Sequence, residues 1–261
     1  MPSEPAKDEF SRVLDEAVTT LSRFTVPLYR DVRGKPEQFG SGFFLESGGR
    51  VVLVSAAHVL RTAKDQTIYY YISKNEICRL DGKLILGKGG GGDDDHIDVA
   101  GLVLSERTSL PKPETGKVAV PLSYLAPRYL PRTGKQYLIV GYPSTKNEAN
   151  PVAKSVTARP YAYHEDSATL EAYEKLGLSQ AGHIVIPLNL RKGFDSSGQQ
   201  VTFPKPNGIS GSPLWVLYEE AGKDAHRTFP LVGVGIEYRW AEKLLVATDS
   251  QEVLGLLRAA I

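Results

Sequence analysis

The chain has 261 residues, 41% hydrophobic and 23% charged, which suffices for a sizeable core in one large domain or two smaller lobes. Its formal net charge of +1 points to neither nucleic acid nor an anionic membrane surface, and no apolar run reaches transmembrane length. The single cysteine, Cys78, excludes an intrachain disulfide framework, and residues Met1 to Phe10 lack a signal-peptide pattern, so the expected location is the cytoplasm.

From about Pro5 to Phe24, the apolar residues Phe10, Leu14, Val18, Leu21 and Phe24 recur at helical spacing, predicting an amphipathic helix latched onto the body. Short runs rich in Val, Ile and Tyr follow. Phe39 to Leu45, Val51 to Ser55, Gln66 to Ile72, Ile77 to Leu86 and Ile97 to Leu104 read as strands, with Gly48-Gly49 as a hairpin turn. Cys78, inside such a pattern, is expected in the core. Gly87 to His96 is glycine- and aspartate-rich. It lacks the Gly-Lys-Ser/Thr of a phosphate loop and reads as a hairpin tip rather than a cation site. The other histidines show no ligand spacing, so neither a metal nor a cofactor is expected.

Five prolines between Pro111 and Gly134 predict a connection between two lobes. A second strand series is expected at Gln136 to Tyr142, Lys154 to Tyr163, His183 to Leu188, Leu214 to Tyr218, Phe229 to Tyr238 and Lys243 to Thr248. Thr248-Asp249-Ser250 then caps a short closing helix. Many short strands without intervening helices favour antiparallel barrels over a βαβ sheet. The expected divisions are a helix over 1–24, a first lobe over 25–120 and a second lobe with the closing helix over 121–261.

Chemistry concentrates in three places. In Gly208-Ile209-Ser210-Gly211-Ser212-Pro213, glycines let the backbone turn so that the N–H groups of Gly208 and Ser210 can meet an oxyanion beside the Ser210 hydroxyl. A serine needs a base, and His58 in Ser55-Ala56-Ala57-His58 follows a strand in a small-residue turn. The base needs a carboxylate, and Asp98 heads the apolar run Val99 to Leu104. The order His, Asp, Ser argues against an α/β-hydrolase, whose acid and histidine follow the serine; here the only later histidine is His226, with Asp224 too close to it to form a separate strand-end acid.

With Gly40-Ser41-Gly42-Phe43-Phe44-Leu45, Gly141-Tyr142-Pro143 and Leu231-Val232-Gly233-Val234-Gly235-Ile236 in the same order, the chain resembles the trypsin-like (chymotrypsin-fold) serine proteases. The cysteine count and missing leader are most similar to their bacterial intracellular branch. The resemblance implies two antiparallel β-barrels, with His58 and Asp98 on the first and Ser210 on the second. It also implies peptide-bond hydrolysis through an acyl-enzyme in a cleft that takes a protein or peptide substrate. It places Pro204, Asn207, Ile236, Glu237 and Tyr238 along the substrate. Departures are equally informative. Ile209 stands where many relatives carry an activating aspartate, so either the oxyanion site is preformed or a regulatory protein partner controls it. Pro204 offers no charge for an Arg or Lys side chain, and Glu237-Tyr238 adds bulk to the substrate strand. A catalytically silent binding module on the same fold is the alternative reading.

Overall fold

A computed structural model describes residues 9–73, 76–87, 97–126, 132, 134–150, 155–217 and 229–260. The glycine- and aspartate-rich tip (88–96), Pro127, Pro131, Asp224 and His226 lie outside these residues. Helix α1 (Glu9–Leu21) is followed by strands β1 (Thr25–Val32), β2 (Lys35–Ser47) and β3 (Arg50–Ala56), then the short helix α2 (Ala57–Arg61). Strands β4 (Ile68–Ser73), β5 (Glu76–Arg79), β6 (Gly82–Leu86) and β7 (Val99–Leu104) complete the first half. The second half holds β8 (Gln136–Gly141), β9 (Asn147–Asn150), β10 (Ser155–Ala158), β11 (Tyr161–Asp166), α3 (Leu170–Leu176), β12 (His183–Pro187), β13 (Gly193–Asp195) and β14 (Gln200–Val201). It closes with β15 (Pro213–Val216), β16 (Leu231–Arg239), β17 (Leu244–Asp249) and α4 (Ser250–Ala260).

The seven strands of the first half form one antiparallel sheet in the order β5-β4-β1-β2-β3-β7-β6. Its two end strands are consecutive in the chain, joined only by Leu80 and Asp81, so the sheet must curl until its edges approach. The predicted strand Ile77 to Leu86 is therefore two strands at opposite ends of one sheet. The turn between them is fixed by Leu80 N–H donating to Ile68 O and Asp81 N–H to Thr108 Oγ1. The second sheet runs β12-β17-β16-β15-β8-β11-β13-β14 and is drawn round by the Tyr163 hydroxyl, which donates to Pro187 O and accepts from Asn189 N–H. These are the two antiparallel half-barrels, with an N-terminal and a C-terminal helix, that the strand pattern predicts.

Four local expectations need correction. Strand β1, which contains Pro27, is not among the expected strands. It survives because β1 pairs with β4 only at Tyr29 and Arg30, so on that side no ladder bond is lost at Pro27. The predicted strand Lys154 to Tyr163 divides at Arg159-Pro160 into β10, paired with β9, and β11, in the second sheet. Cys78 lies on an end strand, half-buried rather than in the core. His58 sits on the first turn of α2, not in an open turn.

One core cluster joins the two sheets: Val13, Leu14, Ala17, Val18 and Leu21 of α1 pack with Phe43 and Val54 of the first sheet, with Leu138, Val140 and Trp215 of the second, and with Val253 and Leu257 of α4. At the start of α1, His164 of β11 lies between the rings of Phe10 and Phe194, each centroid 5.4 Å away, and its buried Nδ1 has no hydrogen-bond partner among the described residues. Burial lowers its pKa, with Lys192 assisting and Glu165 and Asp166 opposing. A histidine held below its unfolded value, about 6.5, contributes stability that is complete above that pH and is lost as pH falls towards the folded value. The melting temperature is therefore expected to decline below about pH 6.5, and His164→Phe to flatten that decline; parallel curves for the two proteins would refute the assignment.

Candidate active site

The base and its carboxylate come from adjoining strands of the first sheet. Strand β3 ends at Ala56, paired with Val99 of β7, so residues 57–58 and residue 98 leave the same sheet edge side by side. Ala57 N–H donates to Asp98 O at 3.1 Å, and His58 N–H to Asp98 Oδ1 at 2.9 Å. The other carboxylate oxygen, Oδ2, contacts His58 Nδ1. Asp98 thus grips both backbone and ring, which places the ring proton on Nδ1 and leaves Nε2 as the basic nitrogen. The imidazole is half exposed, whereas the Asp98 side chain retains 20% of its surface. Burial pushes the Asp98 pKa up, but the His58 hydrogen bonds and charge, with help from Arg61, outweigh it and hold the carboxyl below its usual range.

The serine turn docks on the same edge. Ser210 O accepts from Ser41 N–H at 2.8 Å, and Ser41 O accepts from the Ser55 hydroxyl at 2.7 Å, three residues before His58. Gly211 has φ +91°, and a Cβ there would lie 2.0 Å from both Ser41 O and Ser55 Oγ, so only glycine allows this approach. The turn is pinned to β16 by Gly211 N–H to Gly235 O and Gly235 N–H to Ser212 O. Within it, Ile209, Gly211 and Ser212 spend their N–H groups on carbonyls. Those of Gly208 and Ser210 have no acceptor among the described residues. Ile209 is buried against Gly141, so apolar packing rather than an ion pair seats the turn. The half-buried Ser210 hydroxyl donates to Ile236 O at 3.0 Å, not to the imidazole.

Of the residues expected along a substrate, Pro204 is buried and Asn207 exposed. Ile236 is buried, with its carbonyl towards Ser210. Glu237 is paired with Arg239, and Tyr238 meets the exposed ring of Trp240 edge-on at 4.5 Å. Two further contributors were not anticipated. The Ser41 hydroxyl donates to Gly208 O at 2.8 Å, and Gln38 Nε2 donates to Gly208 O at 3.0 Å and to Tyr142 O at 2.7 Å. Ser41 lies in a motif that is visible in sequence, between two glycines. Gln38 carries no sequence signal, since its role comes from a fold that brings together positions 170 residues apart.

A family model described as "Trypsin-like peptidase domain" matches residues 40–220. No curated protein matches the chain. Among solved structures, it is similar to a thermostable serine protease, AL20, from an extremophilic microorganism, at 13% identity and a TM-score of 0.55, covering 92% of this chain and 97% of that one. It is also similar to a Glu endopeptidase solved with MPD, at 13% identity and a TM-score of 0.51, covering 94% and 93%. These two likenesses concern the fold.

Proposed function

Because the chain belongs to the trypsin-like peptidase family, we propose that it is a serine endopeptidase with Ser210 as nucleophile, His58 as base and Asp98 as the carboxylate that orients it. The observation carrying this reading is the Asp98-held imidazole together with a turn, docked on Ser41 of the same sheet, whose Gly208 and Ser210 N–H groups are unspent among the described residues. Ser210 Oγ attacks the peptide carbonyl as His58 Nε2 takes its proton; the proton then passes to the departing amine. A water, deprotonated in turn by Nε2, releases the acyl group from Ser210. The two N–H groups receive the oxyanion, each worth about 3 kcal/mol in the transition state. The β15 ladder on β16 ends at Val234, which leaves one side of Ile236–Tyr238 for an extended peptide to add as a strand. Pro204, Asn207 and Ile236 bring no negative charge, so a basic side chain has no preferred seat there.

The Ser210 hydrogen bond to Ile236 O favours a second reading, a silent binding module. One experiment separates the two. A fluorophosphonate is expected to label the wild type and not Ser210→Ala, and lysates treated with the wild type alone should gain new protein N-termini. A folded wild type that does neither is the binding module.

A further inference from the structure

Away from the serine turn, a cavity of about 590 Å³ opens between β1, β4 and the segment that links the two sheets. Its walls include Tyr29, Tyr71 and Tyr142, the hydroxyl residues Ser73 and Thr115, and Lys117. None of His58, Asp98, Gly208 or Ser210 contributes. Lys117 Nζ donates to Ser22 O at 2.7 Å and stands 5.1 Å from the centre of the Tyr142 ring. Among the described residues no carboxylate pairs with it. Glu114, on the same lining, is exposed, and its field acts on Lys112. Burial alone draws the Lys117 pKa down to about 8.

A cation withdrawn from water without a counter-charge is costly, and the cost is relieved when an anion arrives. The surroundings specify which kind. Tyr29 and Tyr71 pack edge-to-face at 5.1 Å, giving an aromatic corner in the cavity wall. Burial pushes the Tyr29 and Tyr142 hydroxyls well above their ordinary pKa, so they remain neutral. The cavity also reaches the catalytic region through backbone. Tyr142 N–H donates to Ser41 Oγ and Tyr142 O accepts from Gln38 Nε2, while both of these side chains donate to Gly208 O.

We propose that this cavity binds a small aromatic organic anion, with its oxygens on Lys117 and its ring on the tyrosines, and that occupancy is transmitted through Tyr142 to Gly208. Carboxylates and phosphate monoesters share this chemistry. Neither binding nor transmission requires peptidase activity, so both are measured on wild type and on Ser210→Ala.

The test is a titration followed by amide chemical shifts, with benzoate, phenyl phosphate and the uncharged benzamide as probes. Saturable shifts at Lys117, Tyr142 and Gly208 are expected with at least one anion, and the anion that binds more tightly identifies the source class. Benzamide should bind at least tenfold more weakly. Lys117→Met should weaken the anion at least tenfold. Ala158→Phe, which fills the cavity from its rim and leaves the Lys117 hydrogen bond intact, should do the same should Lys117→Met fail to fold. Equal binding of benzamide, affinity unchanged in the folded variants, or shifts confined to other surfaces would overturn the site. Shifts that stop at Tyr142 would overturn the transmission.

Discussion

Turnover of a peptide substrate should fall on the order of a million-fold in His58→Ala and about ten-thousand-fold in Asp98→Asn. The two losses differ because the residues act at different removes from the reacting atoms. In the proposed mechanism, without the imidazole nothing accepts the Ser210 proton. With an amide at position 98 the ring remains, but its Nδ1–H loses the carboxylate that fixes the tautomer, and the ring can present the wrong nitrogen. Initial rates on a peptide library, with enzyme folding checked by circular dichroism, decide the matter; a drop below about tenfold in His58→Ala would exclude it as the base. The pH dependence follows from Asp98. A carboxyl held below its unfolded value, about 3.9, contributes stability that is present above that pH and lost as pH falls through the lower folded value. The dyad therefore survives mild acid, and any decline in rate near neutrality is not due to protonation of Asp98.

The largest stability loss is expected at Asp249. Its Oδ2 lies 2.5 Å from Arg132 Nη2, with the two side chains only 3% and 2% exposed, and its Oδ1 accepts from Gln251 N–H at 2.8 Å, capping α4. Arg132 also donates to Gln180 O. Asp249→Ala removes the carboxylate paired with a buried guanidinium and also a helix cap, at a cost of about 3–5 kcal/mol for the first and about 1 kcal/mol for the second. Replacing both partners by apolar residues, Arg132→Met with Asp249→Leu, should recover most of the first part because no lone charge remains. Urea denaturation measures both. A loss under about 1 kcal/mol in Asp249→Ala would show that water reaches the pair.

Most of the architecture was legible because its signals are local. Alternation of apolar residues marks the long strands, Gly48-Gly49 fixes a hairpin with both residues at positive φ, and Asp249 caps α4 as its sequence position suggests. His58, Asp98 and Ser210 stand out in the sequence for the same reason: each lies at the end or entrance of a recognisable strand. What escaped depends on distant partners. Pro27 is tolerated because the neighbouring ladder is short, and the crossing at Leu80-Asp81 is visible only once both sheet ends are known. Gln38 and the Lys117 cavity arise from contacts between segments that periodicity treats separately. Ser210 turned towards Ile236 O is a rotamer choice, on which composition is silent.

The cluster that holds both Val13 and Leu257 also constrains how the protein comes to exist. Helix α1 buries its apolar face in a cluster that also takes in Val253 and Leu257 of α4, so the cluster is incomplete until α4 has been synthesised. Contacts so remote along the chain make loop closure slow, and folding should take milliseconds to seconds or longer, in common with other high-contact-order β proteins. Until then the nascent N-terminal segment presents Leu14, Val18 and Leu21 as a sticky stripe, which is where a holding chaperone would be expected to grip.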